Sequence, residues 1–293
     1  MIPLAEKLLL ATNKSKPYVE FVSSTAMTIT PKYNNTGITL QYSLNGTTWT
    51  TIVTGATTPS ANIIYFRGRA TGTKTLFLSN VSSNAWVFSG STNLECNGKL
   101  DRLIQNYLGD DTNILTIGNF CFSYMFSNKT TLIKPPLLPA TTLASYCYGS
   151  MFDGCTGLTT APALPATTLA SYCYDNMFIS CTSLTVAPTL PATTLASYCY
   201  GSMFNSCTGL TTLPKLNALT MTPGCYLGMF YNCTKIKLST TLTGIYDTAY
   251  RIPTTGTGTT ATDALASMFG STGGTFTGTP TINTTYYTEN TPV

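Results

Sequence analysis

Leu138-Pro-Ala-Thr-Thr-Leu-Ala-Ser-Tyr-Cys-Tyr148 recurs unchanged at Leu164–Tyr174 and again at Leu190–Tyr200, so the starts lie 26 residues apart. The same interval carries other residues past the identical copies. Cys121, Cys147, Cys173, Cys199 and Cys225 form one series, and Cys155, Cys181, Cys207 and Cys233 form a second, with Lys129 in the place of its first member. Met-Phe pairs follow at Met125, Met151, Met177, Met203 and Met229. Leu132, Leu158, Leu184, Leu210 and Ile236 make an aliphatic series, and Pro136, Pro162, Pro188 and Pro214 a proline series. A fixed period of this length marks a repeat array.

Within a unit, Thr141-Thr142 offers an N-cap before Leu143. Leu143, Cys147, Met151 and Cys155 then recur every four residues, the stripe of an amphipathic helix. Gly157 or a polar residue would end the helix. Leu158–Leu164 is short and extended, and Pro162 keeps it from a long ladder because it has no N–H to donate. The expectation is one helix and one short strand per unit. A single unit offers too few apolar side chains to offset the ordering of its backbone, so neighbours must stack. The predicted core is Cys147, Met151, Phe152, Cys155 and Leu158, with Cys173, Met177, Phe178, Cys181 and Leu184, and Cys199, Met203, Phe204, Cys207 and Leu210.

The motif Met-Phe-x-x-Cys-x-x-Leu-x-x-x-Pro-x-Leu-Pro, as in Met151–Pro165, resembles the BspA-type leucine-rich repeat and is similar to the repeats of mycoplasma surface lipoproteins. The likeness covers about residues 118 to 240. It implies a surface-binding, non-catalytic protein of the kind found in gut-bacterial adhesins and phage-associated proteins.

Residues 18–100 read differently. Alternating runs at Ala26–Thr30, Ile38–Ser43, Trp49–Val53, Ile63–Arg67 and Thr75–Leu78 suggest strands, and Asn45-Gly46 between two of them is a hairpin signal. Phe88–Cys96 closes the set, and a short helix follows near Leu100–Tyr107. Ser43–Trp49 superficially resembles the turn motif of sialidase propellers, but it is one residue short and occurs once; a hairpin with a packed Trp is the reading adopted. The expected architecture is α+β: a docking arm (1–17), an antiparallel β-sandwich (18–100), a leucine-rich-repeat-like solenoid (101–240) and a β-rich cap (241–293) around a degenerate unit at Met268-Phe269. In the cap, 254–260 reads as a loop and 281–287 as a strand.

Composition narrows the chemistry. The 293 residues contain no His, only 11 carboxylates and 9% charged side chains, while Thr supplies about a fifth of the chain. The absence of His removes His-based triads and His metal ligands. A net charge of +4 without a basic run gives no nucleic-acid footprint. No apolar stretch is long enough to span a membrane. The start, Met1–Leu10, is broken by Glu6 and Lys7 and lacks the form of a secretory signal; Ile2, Leu4, Leu8 and Leu9 suggest a docking face. For the cysteines, a buried thiol ladder is favoured over disulfides between neighbouring units and over a metal site, because no Cys-x-x-Cys pair occurs. Asp110-Asp111 are adjacent, and Asp153 and Asp175 occupy different places in their units, so no carboxylate pair is set up. Neither catalytic residues nor cofactors are expected.

Two surfaces remain as candidates for ligand binding: the tyrosines Tyr146, Tyr148, Tyr172, Tyr174, Tyr198 and Tyr200, for stacking on sugars or packing on protein, and the threonine row Thr159, Thr160, Thr185, Thr211 and Thr212. The function expected from these readings is a virion structural or adhesion protein of a bacteriophage of gut bacteria, a fibre or capsid-decoration component. Its arm and β-domain would contact other virion proteins, its repeats would meet a host-surface glycan or protein, and homo-oligomers are compatible. A bacterial cell-surface adhesin is the alternative, and a glycan-active enzyme a remote one.

Overall fold

The computed structural model describes residues 16–33, 37–70, 76, 81–104, 117–289 and 292–293. Its strands, in chain order, are β1 (Val19–Thr30), β2 (Ile38–Ser43), β3 (Thr50–Ile52), β4 (Ala61–Ala70), β5 (Val87–Ser89), β6 (Leu94–Asn97), β7 (Leu132–Lys134), β8 (Lys237–Ser239), β9 (Thr248–Arg251), β10 (Gly273–Gly274) and β11 (Thr285–Thr288). Two short 3-10 turns lie at Ser82–Asn84 and Leu100–Leu103, and no α-helix occurs among the described residues. The expected arm at Met1–Leu10 and the run Thr75–Leu78, apart from the buried Leu76, lie outside the described residues.

The N-terminal strands form one sheet in the order β3-β2-β4-β1-β6-β7, with β5 paired to the far end of β1. The expected sandwich is therefore corrected to a single branched sheet. The cause lies in β1. Its alternation is clean at Val19 and Phe21, which point inward, and is interrupted between Val22 and Met27, where the register shifts. The Asn62 amide donates to the Ser23 and Ser24 carbonyls there, both at 3.2 Å. Beyond this irregularity Thr28–Thr30 pair with β5 rather than β6. A bulge of this kind turns a strand and redirects its pairing. The predicted β2–β3 hairpin is present. Asn45 Oδ1 accepts from the Thr47 and Thr48 N–H groups (2.9 and 2.8 Å), and Gly46 takes a φ of 75°.

Residues 117–239 form the repeat array, and here the α+β solenoid expectation is overturned. In each unit the predicted helix is a ribbon of overlapping turns. Every second N–H closes a turn within the unit: Cys147 to Ala144 O, Gly149 to Tyr146 O, Met151 to Tyr148 O, Cys155 to Phe152 O, at 3.0–3.3 Å. The intervening N–H groups donate to the next unit instead: Tyr148 to Cys173 O, Ser150 to Asp175 O and Phe152 to Met177 O, at 2.8–3.0 Å. An α-helix would keep all of these bonds inside its own segment. The ribbon cannot be helical because every fourth residue is left-handed: Tyr146, Ser150 and Gly154 in one unit, Tyr172, Asn176 and Ser180 in the next. Gly154 and Asn176 suit that conformation, and the Tyr and Ser positions are held in it by N–H bonds to the next unit.

The expected strand at Leu158–Leu164 is likewise absent; one bridge, Thr160 to Val186, joins those segments. True strands form there only in the first and last units: β7 pairs parallel with β6 and fuses the array to the N-terminal sheet, and β8 pairs with β10 and β11 at the other end.

Four-residue spacing places two neighbouring large side chains inward at each step, separated by a pair of mostly small or polar residues. Cys147-Tyr148 and Met151-Phe152 are consequently all buried, as are Cys155 and Leu158. The Phe column Phe126–Phe152–Phe178–Phe204–Phe230–Phe269 stacks at 5.5–5.7 Å. At one end Phe88 and Phe21 continue it into the sheet domain. At the other, Tyr250 and Phe276 close on Phe269 edge-on. The Met268-Phe269 segment is thus a further rung: Phe230 N–H donates to Met268 O at 2.9 Å. A four-stranded sheet, β10-β8-β11-β9, covers that end.

Candidate functional site

The six candidate tyrosines divide into two columns. Tyr148, Tyr174 and Tyr200 are each 1% exposed and stack at 5.7–5.8 Å between Phe122 and Tyr226. Their assignment to a ligand surface is corrected: each is the second member of an inward pair, beside Cys147, Cys173 or Cys199. Burial pushes their hydroxyls well above the ordinary tyrosine range. Tyr146, Tyr172 and Tyr198 are half-buried and nearly parallel, at 4.6 and 4.8 Å. Phe120 stacks on Tyr146 at one end of this column. At the other, Tyr198 lies over Gly224, where a Cβ would sit 2.3 Å from the ring. The ring faces are occupied by one another, so a sugar has no face to stack on. The column presents edges and phenol groups.

The threonine row lies at another corner. Thr159, Thr160 and Thr185 are exposed, while Thr211 and Thr212 are half-buried. Two of its hydroxyls tie units together: Thr211 Oγ1 donates to Thr185 O (3.1 Å), and Thr212 Oγ1 accepts from Ala187 N–H (2.9 Å). Val186, 48% exposed, interrupts the hydroxyl row.

The fifteen predicted core residues are all 0% exposed. The second cysteine series has a specific task. Cys155, Cys181, Cys207 and Cys233 donate their thiols to the carbonyls of Phe126, Phe152, Phe178 and Phe204 in the preceding unit, at 2.9–3.1 Å. An alanine would leave that bond unmade. All ten cysteines are buried free thiols. Desolvation pushes Cys121, Cys173, Cys181 and Cys233 up to about 12, far from a reactive thiolate at neutral pH. Among the described residues no cluster of three or more His, Cys, Asp or Glu could hold a metal ion, and no helix is long and apolar enough to cross a membrane.

A second threonine corner contains Thr141-Thr142, the expected helix cap, and its equivalents Thr167-Thr168 and Thr193-Thr194. With no helix to cap, these residues run edge to edge instead, and parallel bridges join Thr142 to Thr168 and Thr168 to Thr194. Their exact repetition in adjacent units was the available signal.

In comparisons with family models, curated proteins and solved structures, nothing matches this chain.

Proposed function

We propose that this chain is a non-enzymatic structural and binding protein, carried on a bacteriophage virion as a fibre or capsid-decoration component. The observation that carries the structural half of this reading is the unbroken Phe column, which runs from Phe88 in the N-terminal sheet to Phe269 under the C-terminal sheet. Such a column makes one continuous body whose sides repeat largely uncharged side chains from rung to rung. Buried, protonated thiols and stacked rings hold that body together, and the exposed threonine corners are the surfaces left to meet a partner. The virion setting rests on the motif resemblance around Met151–Pro165.

The test is antibody labelling and mass spectrometry of purified virions. The chain should be found at a fixed position on the particle. Its recovery from bacterial envelopes free of phage would overturn the virion setting in favour of a cell-surface adhesin.

A further inference from the structure

The second threonine corner is where the rungs part. The bridges that link Thr142, Thr168 and Thr194 resume only between Thr220 and Thr259. The sequence changes at this step: relative to the unit before, Pro191 becomes Asn217, Thr193 becomes Leu219, and Ala196 becomes Thr222. Between the separated rungs lies a cavity of about 450 Å3, walled by Thr193, Thr194 and Leu195 on one side and by Asn217, Leu219 and Thr220 on the other. Leu219 is 49% exposed, and Thr222 adds a further hydroxyl to the wall. A second cavity, of about 370 Å3, lies beyond the next rung and is lined by Thr260, Asp263, Leu265, Thr279, Thr281 and Ile282 among others.

The two cavities flank one pair of chains. Met221 N–H donates to Thr259 O (3.0 Å), and Thr259 N–H donates to Leu219 O (2.8 Å), so the wall of the first cavity is bonded to the chain that leads into the second.

We propose that this corner binds a linear, neutral oligosaccharide, with one sugar in each cavity. The inference rests on the reading of the chain as a binding protein and names the ligand class for its surface. Threonine hydroxyls and the Asn217 amide both donate and accept, as sugar hydroxyls require. Leu219 and the half-buried Ile282 offer apolar patches to the C–H faces of the rings, the mixture expected of a small-molecule site. Neither lining contains a Lys or Arg, and Asp263 is the one carboxylate. An acidic glycan or nucleic acid therefore finds no counter-charge.

The test uses the full chain and saturation-transfer NMR with maltohexaose, cellohexaose, fully N-acetylated chitohexaose and mannohexaose, each at about 10 mM so that millimolar affinities register. Oligogalacturonate and a Gly/Ser peptide serve as comparators. At least one neutral hexasaccharide should bind. Its affinity should fall about tenfold or more in Leu219→Asp and in Asn217→Ala and stay unchanged in Thr51→Val on the exposed side of β3. Asn217 and Leu219 are exposed, so both variants should fold, and a thermal unfolding curve checks each. Absence of transfer from all four sugars, equal affinity in the variants, or preference for the peptide or the acidic glycan would overturn the proposal. Sugar binding by a chain that virions do not carry would keep this site and remove the virion setting; a virion protein blind to all four sugars would do the reverse.

Discussion

Asp175 should make this protein less stable as the pH rises. It stands where the neighbouring units have Gly149 and Gly201, and its Oδ1 lies 2.6 Å from the place a Cβ on Gly201 would take. The carboxylate thus sits in a niche opened by a missing side chain. Its bonded partner is the Asn176 amide, at 2.9 Å. Desolvation raises its pKa to about 7 from an ordinary 3.8. The folded chain therefore holds a proton that the unfolded chain has released over this interval. Stability is highest below the ordinary carboxylate range, declines as pH rises through it, and levels off above the folded pKa. At about 1.4 kcal/mol per unit, discounted for residual water, the loss is roughly 2–4 kcal/mol.

Asp175→Asn keeps the shape and removes the charge. Urea unfolding at about pH 5 and about pH 8 should show the wild type weaker at the higher pH and the variant nearly level, stronger than wild type there by roughly 2–4 kcal/mol. A shallow slope should remain in the variant, because burial raises Asp153 in the same direction. A wild type equally stable at both pH values, or a variant that follows its slope unchanged, would refute the desolvated niche.

Phe178→Asp should unfold the array, since it places a carboxylate between Phe152 and Phe204 at the centre of the column; loss of the cooperative unfolding transition is the readout. Tyr174→Ala should cost about 3–5 kcal/mol in denaturant titration, as expected for emptying a fully buried aromatic site, whereas half-buried Tyr172→Ala should cost clearly less. Equal losses would contradict the two-column arrangement. Gly224→Ala should destabilise by about 1–3 kcal/mol, because the new methyl group meets Tyr198 and the position has a φ of 61°; an unchanged thermal midpoint would count against that contact. Native protein should resist a thiol reagent at about pH 8 and react at all ten cysteines once unfolded, given that every thiol is buried.

The period, its inward-facing Cys, Met, Phe and Leu positions, and most N-terminal strands were legible in the residues themselves. The local conformation was not, although a clue stood in plain view. Leu143, Cys147, Met151 and Cys155 are spaced by four three times running. In a helix of 3.6 residues per turn that stripe drifts about 40° at each step, so a true helical face mixes threes and fours. Unbroken fours fit a ribbon with a left-handed residue in every fourth place, and Gly154 and Asn176 at those places agree. A helical stripe puts at least one tyrosine of each pair near the surface without saying which, and it turns Thr141-Thr142 into a cap. The branched N-terminal sheet was hidden for another reason: only Ala26–Thr30 of β1 shows a plain alternation, and the shift between Val22 and Met27 is settled by distant partners, Asn62 and Thr92. The parted rungs depend on a few replacements in one unit, which composition and periodicity average away.

Because the sheet domain and the cap each meet the Phe column through a single ring layer, neither end senses how many coils lie between them. A gene duplicating or deleting one 78-nucleotide cassette would lengthen or shorten the rod by one step without new end chemistry. The three identical eleven-residue stretches are what recent copying of that kind leaves behind. Reach can therefore evolve separately from attachment, by recombination rather than by redesign.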